Sequence, residues 1–232
     1  MNPGRPGGPR LLPCGDAALT VEFGAEISPE LNARVVALGD ALRGRPGIVA
    51  LIPTYRSLFI QYDPFEVSFE ELSLAVERLP AVGAVAVPPP EPVIELPVCY
   101  HPSLAPDLAG VARLRGLTVE EAVAFHAAPV YRVYMLGFTP GFLFLGGLDP
   151  RLHTPRLPEP RKRVEPGSVG IAGAQTGAYA IASPGGWRLI GRTPVRLFDP
   201  AREPPVVATP GMGVRFVPIG LEEYRRLEGR GG

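Results

Sequence analysis

Lysine is all but missing from this chain of 232 residues, where Lys162 stands alone against a background of arginine. Arg161 precedes it, so the sequence holds no GxxxxGK[ST] phosphate loop. No GxGxxG fingerprint follows a candidate strand, which excludes dinucleotide binding by that route. Cysteine is limited to Cys14 and Cys99, far apart and without CxxC spacing, and the histidines His101, His126 and His153 are dispersed. Neither a disulfide framework nor a tightly bound metal is expected, and a reduced, cytoplasmic setting follows. Charge of one sign is not in excess, since 23 basic residues face 23 acidic ones. Nothing global steers the chain toward nucleic acid or an anionic membrane, so an anion site has to be local. No apolar run approaches the ~20 residues of a membrane helix. The first ten residues lack the apolar stretch of a secretion signal, and they are expected to be mobile.

Glycine and proline are abundant instead, above all between Gly137 and Pro194. The gaps between them hold apolar residues such as Phe142, Leu145, Val169, Ile171 and Ile190, which predicts ordered turns between short strands. Three features there suit chemistry. Glycines at 137, 141, 146 and 147, and again at 167, 170, 173 and 177, lack the Cβ that would keep a ligand from the backbone. Gly167, Ser168, Gly170 and Gly173 are therefore candidate N–H donors to an anion. Arg156, Arg161, Lys162 and Arg163, on a loop stiffened by Pro155, Pro158 and Pro160, could clamp carboxylate or phosphate, with Arg156, Arg161 and Arg163 as the binding residues. SPGGW at 183–187 delivers the single tryptophan, Trp187, which joins Phe138, Pro140 and Phe142 of GFTPGF as candidate pocket wall. Each feature has a plainer explanation: glycine turns most often serve hairpin geometry, basic runs are usually solvated, and a lone tryptophan is usually core. Their concentration in one segment favours function.

Leu19, Val21 and Phe23 alternate as a half-buried strand. Ser28-Pro29 starts a helix with Leu31, Val35, Leu38 and Leu42 on one face. Strands follow at Ile48–Ile52 and Leu58–Tyr62. A capping box of Ser68 and Glu71 opens a second helix, ended by Pro80, and Ala84–Val87 supplies a last strand. The order β-α-β-β-α-β predicts a ferredoxin-like split βαβ domain over residues 1–90. PPPEP at 88–92 is a stiff connector. Beyond it, residues 91–232 show a strand at Val93–Tyr100, helices at Pro106–Leu114 and from Thr118 to His126, and a strand at Val130–Leu136. Later strands are expected at Ile181, Leu189–Ile190, Val195–Phe198 and Val214–Val217, and a helix at Leu221–Leu227. Many short strands with Gly/Pro turns predict a small closed barrel, and the whole is α+β.

His126 titrates in the neutral range and is the candidate proton carrier; a helix C-terminal role in the dipole field explains it as well. Gln175, in QTG, is the candidate to bond an amide.

GFTPGF, the PR-x-x-x-PR-x-x-V-x-PGSVGIAG run at 155–173, QTG at 175–177, SPGGW and GRTP at 191–194 together resemble the KipI family. GDAALTVEFG at 15–24, YRSLFIQYDP at 55–64, PVCY at 97–100, PDL at 106–108 and RFVPI at 215–219 extend the resemblance over nearly the whole chain. That family includes the B subunit of the bacterial ATP-dependent 5-oxoprolinase and is also known as allophanate hydrolase subunit 1. The resemblance implies a cyclophilin-like barrel and a non-autonomous enzyme component cleaving 5-oxoproline to glutamate. ATP, accompanied by Mg2+, would be shared with a KipA-like C subunit and a LamB/YcsF-like A subunit. It also allows two other roles: inhibition of a sensor histidine kinase by docking, or membership of a urea- or allophanate-type amide hydrolase. The sequence departs from the family at His101, at Leu143-Phe144 where Pro-Tyr is common, and at Met212 where an aspartate is usual.

Overall fold

The computed structural model describes residues 8–80 and 83–229, and the chain divides into two compact units between Pro89 and Pro90. In the first unit, alternation in β2 (Ala18–Glu22) buries Leu19 and Val21 on one face. β4 (Ser57–Tyr62) does the same with Leu58, Ile60 and Tyr62. Helix α1 (Pro29–Leu42) and helix α2 (Phe69–Glu77) cover this face with Val35, Leu38, Leu42, Leu72 and Val76. Ser28 caps α1 by accepting from Leu31 N, and the Ser68/Glu71 capping box forms as the sequence predicts.

With β1 at Arg10–Pro13 and β3 at Ile48–Pro53, the sheet is antiparallel in the order β1-β2-β4-β3. Two expectations need correction. Arg10 is not part of a loose leader but opens a strand, registered on Glu22; residues 1–7 lie outside the described residues. Ala84–Val87 forms no strand. The place beside β2 is taken by β1, and with that edge paired a segment running into Pro88, Pro89 and Pro90 has no ladder to join.

Seven strands of the second unit close into a barrel. They are β5 (Val93–Cys99), β6 (Val130–Leu136), β7 (Leu143–Gly146), β9 (Ser168–Ala172), β10 (Gln175–Ala178), β12 (Arg188–Arg192) and β13 (Gly213–Ile219). Their order around it is β10-β7-β6-β13-β5-β12-β9. β13 runs parallel to β5 and the other pairs are antiparallel. Leu96, Val98, Tyr131, Val133, Leu145, Val169, Ile171 and Phe216 fill one continuous core, on which α3 (Leu108–Arg115) and α4 (Val119–Ala127) also pack. Thr118 and Glu121 form the second capping box. Helix α5 (Leu221–Glu228) ends the described chain. Val195–Phe198 is no strand but an irregular segment with one bridge, Phe198 to Val206, and Ile181 precedes a strand rather than forming one. Among the described residues no helix is long and apolar enough to cross a membrane.

Outside the barrel, β8 (Arg161–Val164) and β11 (Ser183–Gly185) pair as a two-stranded ribbon. A second core of Phe142, Val164, Ala172, Tyr179, Trp187 and Leu189 joins residues of ribbon and barrel. Gly177 makes this possible, because a Cβ there would lie 2.5 Å from Leu143 O and 3.0 Å from Trp187 Cζ3. Gly177→Ala should therefore cost about 1–3 kcal/mol in urea unfolding, the range for overpacking. An unchanged midpoint would show that the indole is not seated against this strand.

Candidate functional site

The sequence-derived candidates fall into three places. His126 projects from α4 into the barrel core and is wholly buried. Its ring stacks on Phe216 at 4.6 Å between centroids. Thr176 Oγ1 donates to Gly170 O at 3.1 Å, so it accepts from His126 Nε2–H at 2.8 Å. Nδ1 is left as the acceptor for the Tyr100 hydroxyl, also at 2.8 Å. Burial lowers the imidazole pKa from 6.5 to about 3. A neutral ring with both nitrogens bonded inside a core has no proton to exchange with a ligand, so His126 is a structural pin and the proton-carrier expectation is corrected.

The glycine run does not offer free donors either. Gly167 N donates to Tyr179 O at 2.7 Å, Ser168 N to Glu165 O at 3.2 Å and Gly173 N to Thr154 O at 2.8 Å. Gly170 lies in β9 between Gly177 of β10 and Leu189 of β12. These glycines are required by the fold. Gly167 has φ 79°, and a Cβ on it would collide with Thr193 O. A Cβ on Gly170 would press on the Trp187 Cβ at 3.2 Å.

The outer face of the barrel is where candidates converge. Phe142 meets Trp187 at 5.5 Å, Phe144 at 4.4 Å and Tyr179 at 4.8 Å between ring centroids. Phe138 stands edge-on to Phe142 at 6.0 Å yet is 66% exposed. Its backbone has φ 63°, and Thr139 N donates to Gly137 O at 2.7 Å around it. This is the rare, strained γ-turn, a conformation an aromatic residue holds only where surrounding structure imposes it. Pro140 is exposed beside it. The Arg156 guanidinium lies 6.0 Å above the Trp187 ring, a cation–π distance. Arg161 Nη2 bonds Asp107 Oδ1 at 2.8 Å, and its Nη1 reaches Trp187 O at 3.4 Å. Burial raises the Tyr179 hydroxyl pKa, against the Trp187 backbone and the charges of Arg156 and Arg161, so both arginines act on that hydroxyl. Gln175 lies two residues before Gly177 on β10, and its Nε2 is buried without a hydrogen-bond partner among the described residues.

Arg163 departs from the expected clamp. It is paired with its neighbour Glu165 at 2.7 Å and 67% exposed. The basic cluster is no loop from Arg161 onward but strand β8, whose alternation turns Lys162 away from Arg161, while Arg163 is taken up by Glu165.

Residues 9–208 match the family described as the carboxyltransferase domain, subdomain C and D. The chain belongs to this carboxyltransferase-domain family. The 5-oxoprolinase B subunit of Bacillus subtilis (strain 168) is 41% identical over 222 residues, covering 90% of this chain and 92% of that one. The 5-oxoprolinase B subunit of Escherichia coli O157:H7 is 43% identical over 208 residues, covering 88% and 93%. The crystal structure of TTHA0988 matches at TM-score 0.78 and 42% identity over 87% of this chain, which spans 40% of that longer one.

In this carboxyltransferase-family chain the departures noted in the sequence have local explanations. Phe144 joins the aromatic wall, 5.8 Å from Trp187. Met212 packs on the barrel core, and its Sδ accepts from Thr209 N at 3.2 Å. His101 turns its Nδ1 to Ser103, 2.8 Å from Oγ. Sequence reasoning missed Asp107 and Tyr179. Asp107 lies in PDL, but its partners are 54 and 82 residues away, and no spacing rule pairs them.

Proposed function

We propose that this chain is the B subunit of an ATP-dependent 5-oxoprolinase, opening the lactam of 5-oxo-L-proline to L-glutamate. The near-full-length alignment with two proteins of that name carries the reading. Resonance makes the lactam carbonyl a poor electrophile. Phosphoryl transfer from ATP to its oxygen, releasing ADP, activates the carbon; one water adds there and the C–N bond breaks, freeing the amine and leaving an acyl phosphate, which a second water hydrolyses to the carboxylate and phosphate. Such chemistry requires anion stabilisation above all. The aromatic wall of Phe138, Phe142, Phe144 and Trp187 suits a small flat ring. Arg156 and Arg161 would hold its carboxylate or the phosphorylated oxygen, and Gln175 Nε2 would donate to the lactam carbonyl.

ATP would be held jointly with a KipA-like C subunit and a LamB/YcsF-like A subunit, Mg2+ arriving on its phosphates, which suits a sequence without a phosphate loop. The first unit, residues 1–90, is read as a ferredoxin-like variant in which β1 takes the place of the last strand. The second, 91–232, is read as a cyclophilin-like barrel, and the complex as cytoplasmic.

The test is oxoproline-dependent ATP turnover by the complex reconstituted from all three components. Arg156→Ala should lower kcat/KM roughly 10- to 100-fold, since a charge-assisted hydrogen bond contributes about 1.5–3 kcal/mol. Arg163→Ala should stay within about twofold, as exposed ion pairs contribute little. A complex that assembles but ignores 5-oxoproline would remove the substrate assignment, and equal losses in both variants would remove the site.

A further inference from the structure

GRTP at 191–194 is a motif that the proposed site leaves unused. Between this segment and α5 lies a cavity of about 200 Å3, lined by Gly167, Arg192, Thr193, Arg196, Tyr224 and Glu228 among others. It has the volume of roughly six or seven waters at ~30 Å3 each, which suits a molecule of amino-acid size.

Its charges are placed by the fold. Arg192 Nε donates to Pro166 O at 2.9 Å, which fixes the guanidinium at its root. The two terminal nitrogens have no partner among the described residues and present the fork that binds carboxylates. Arg196 on the same wall is 58% exposed and held only loosely, 3.4 Å from Asp199 Oδ2. Glu165 is within electrostatic reach of Arg192 but is already engaged by Arg163. A negative group is supplied by α5. Tyr224, buried at the helix, donates from its hydroxyl to Glu228 Oε1 at 2.9 Å. That one bond leaves most of the carboxylate's acceptor capacity open. The Arg192 charge acts on the Tyr224 hydroxyl as well, so the positive and negative poles share one small space.

We infer that this cavity binds a free α-amino acid, its carboxylate on Arg192 and Arg196 and its ammonium group on Glu228. Which amino acid rests on the function proposed above. L-Glutamate, the product, carries both groups, whereas the nitrogen of 5-oxoproline is an uncharged amide with nothing to offer Glu228. The site therefore reads product and rejects substrate, apart from the aromatic wall around Trp187.

Isothermal titration of the full chain alone with L-glutamate, glutarate, L-alanine and 5-oxo-L-proline tests this. L-Glutamate should bind one per chain, with glutarate and 5-oxo-L-proline at least about tenfold weaker, the equivalent of 1.4 kcal/mol. Arg192→Gln and Arg196→Gln should each weaken L-glutamate about tenfold or more. Glu228→Gln, which keeps an acceptor for Tyr224, should abolish the preference over glutarate. No saturable heat with either amino acid, equal binding of 5-oxo-L-proline, or a preference that survives Glu228→Gln in a protein with unaltered melting would overturn the site. L-Alanine binding above L-glutamate, with a reconstituted complex silent on 5-oxoproline, would sustain the amino-acid site and defeat the oxoprolinase reading.

Discussion

Replacing His126 with glutamine should remove much of the barrel's sensitivity to acid. Burial holds the folded imidazole at a pKa of about 3 instead of 6.5, so it stays neutral where the unfolded chain takes up a proton. The full stability from this group is present above about pH 6.5. Below it the unfolded state binds more protons, and stability falls by up to about 1.4 kcal/mol per pH unit until the folded ring also protonates near pH 3. Between about pH 7.5 and pH 5 the wild-type chain should lose about 2 kcal/mol from this source alone. Urea unfolding at a series of pH values, wild type minus His126→Gln, isolates it from the other titrating groups. Two curves that stay parallel down to pH 4 would mean that the folded ring protonates normally. His126→Phe adds a second reading at neutral pH, where Tyr100 loses its acceptor and Thr176 its donor, at about 1–3 kcal/mol for each group left unsatisfied.

Asp107→Ala should cost about 3 kcal/mol of stability and with it the alignment of the candidate site. The carboxylate accepts from Leu189 N at 2.6 Å and from Arg161 Nη2 at 2.8 Å, while its own N–H donates to Leu189 O at 2.9 Å. Asp107 therefore ties the start of α3 to barrel strand β12 and to ribbon strand β8. Its side chain is 13% exposed and that of Arg161 28%, which places the loss at the low end of the 3–5 kcal/mol expected for breaking a buried pair. Asp107→Asn keeps the shape and one acceptor, and should cost roughly half as much while releasing Arg161 from its charge partner. Both variants should lower kcat/KM of the reconstituted complex, alanine more than asparagine. If Asp107→Ala kept the wild-type unfolding midpoint and turnover, Arg161 would owe its position to something else.

Helix starts were legible because capping is a local exchange: Ser68 with Glu71, and Thr118 with Glu121, lie within one turn and form as their spacing predicts. Strands such as Ala18–Glu22 and Ser57–Tyr62 were legible for the same reason, since burial on one face repeats every second residue. Ala84–Val87 misled because its apolar residues fit a strand, while whether a strand forms depends on a free sheet edge, and β1 occupies that edge. Arg161–Val164 misled in the opposite sense. Its charges read as a solvated loop, and only pairing with Ser183–Gly185 makes it a strand.

The sequence by itself determined the helices and the strands whose burial alternates, the concentration of chemistry between Gly137 and Pro194, and the family resemblance. Each of these is written in neighbouring residues or in ordered motifs. The tertiary structure alone decided which side chains remain available. It buried His126 among Tyr100, Thr176 and Phe216, occupied the N–H groups of the glycine run with backbone carbonyls, and turned Arg163 to Glu165. It also left Arg156 above Trp187, and Gln175 Nε2 without a hydrogen-bond partner among the described residues. A residue's type states which bonds it is able to make. Whether those bonds are already satisfied depends on atoms brought close by closing the barrel, from positions that no local spacing connects.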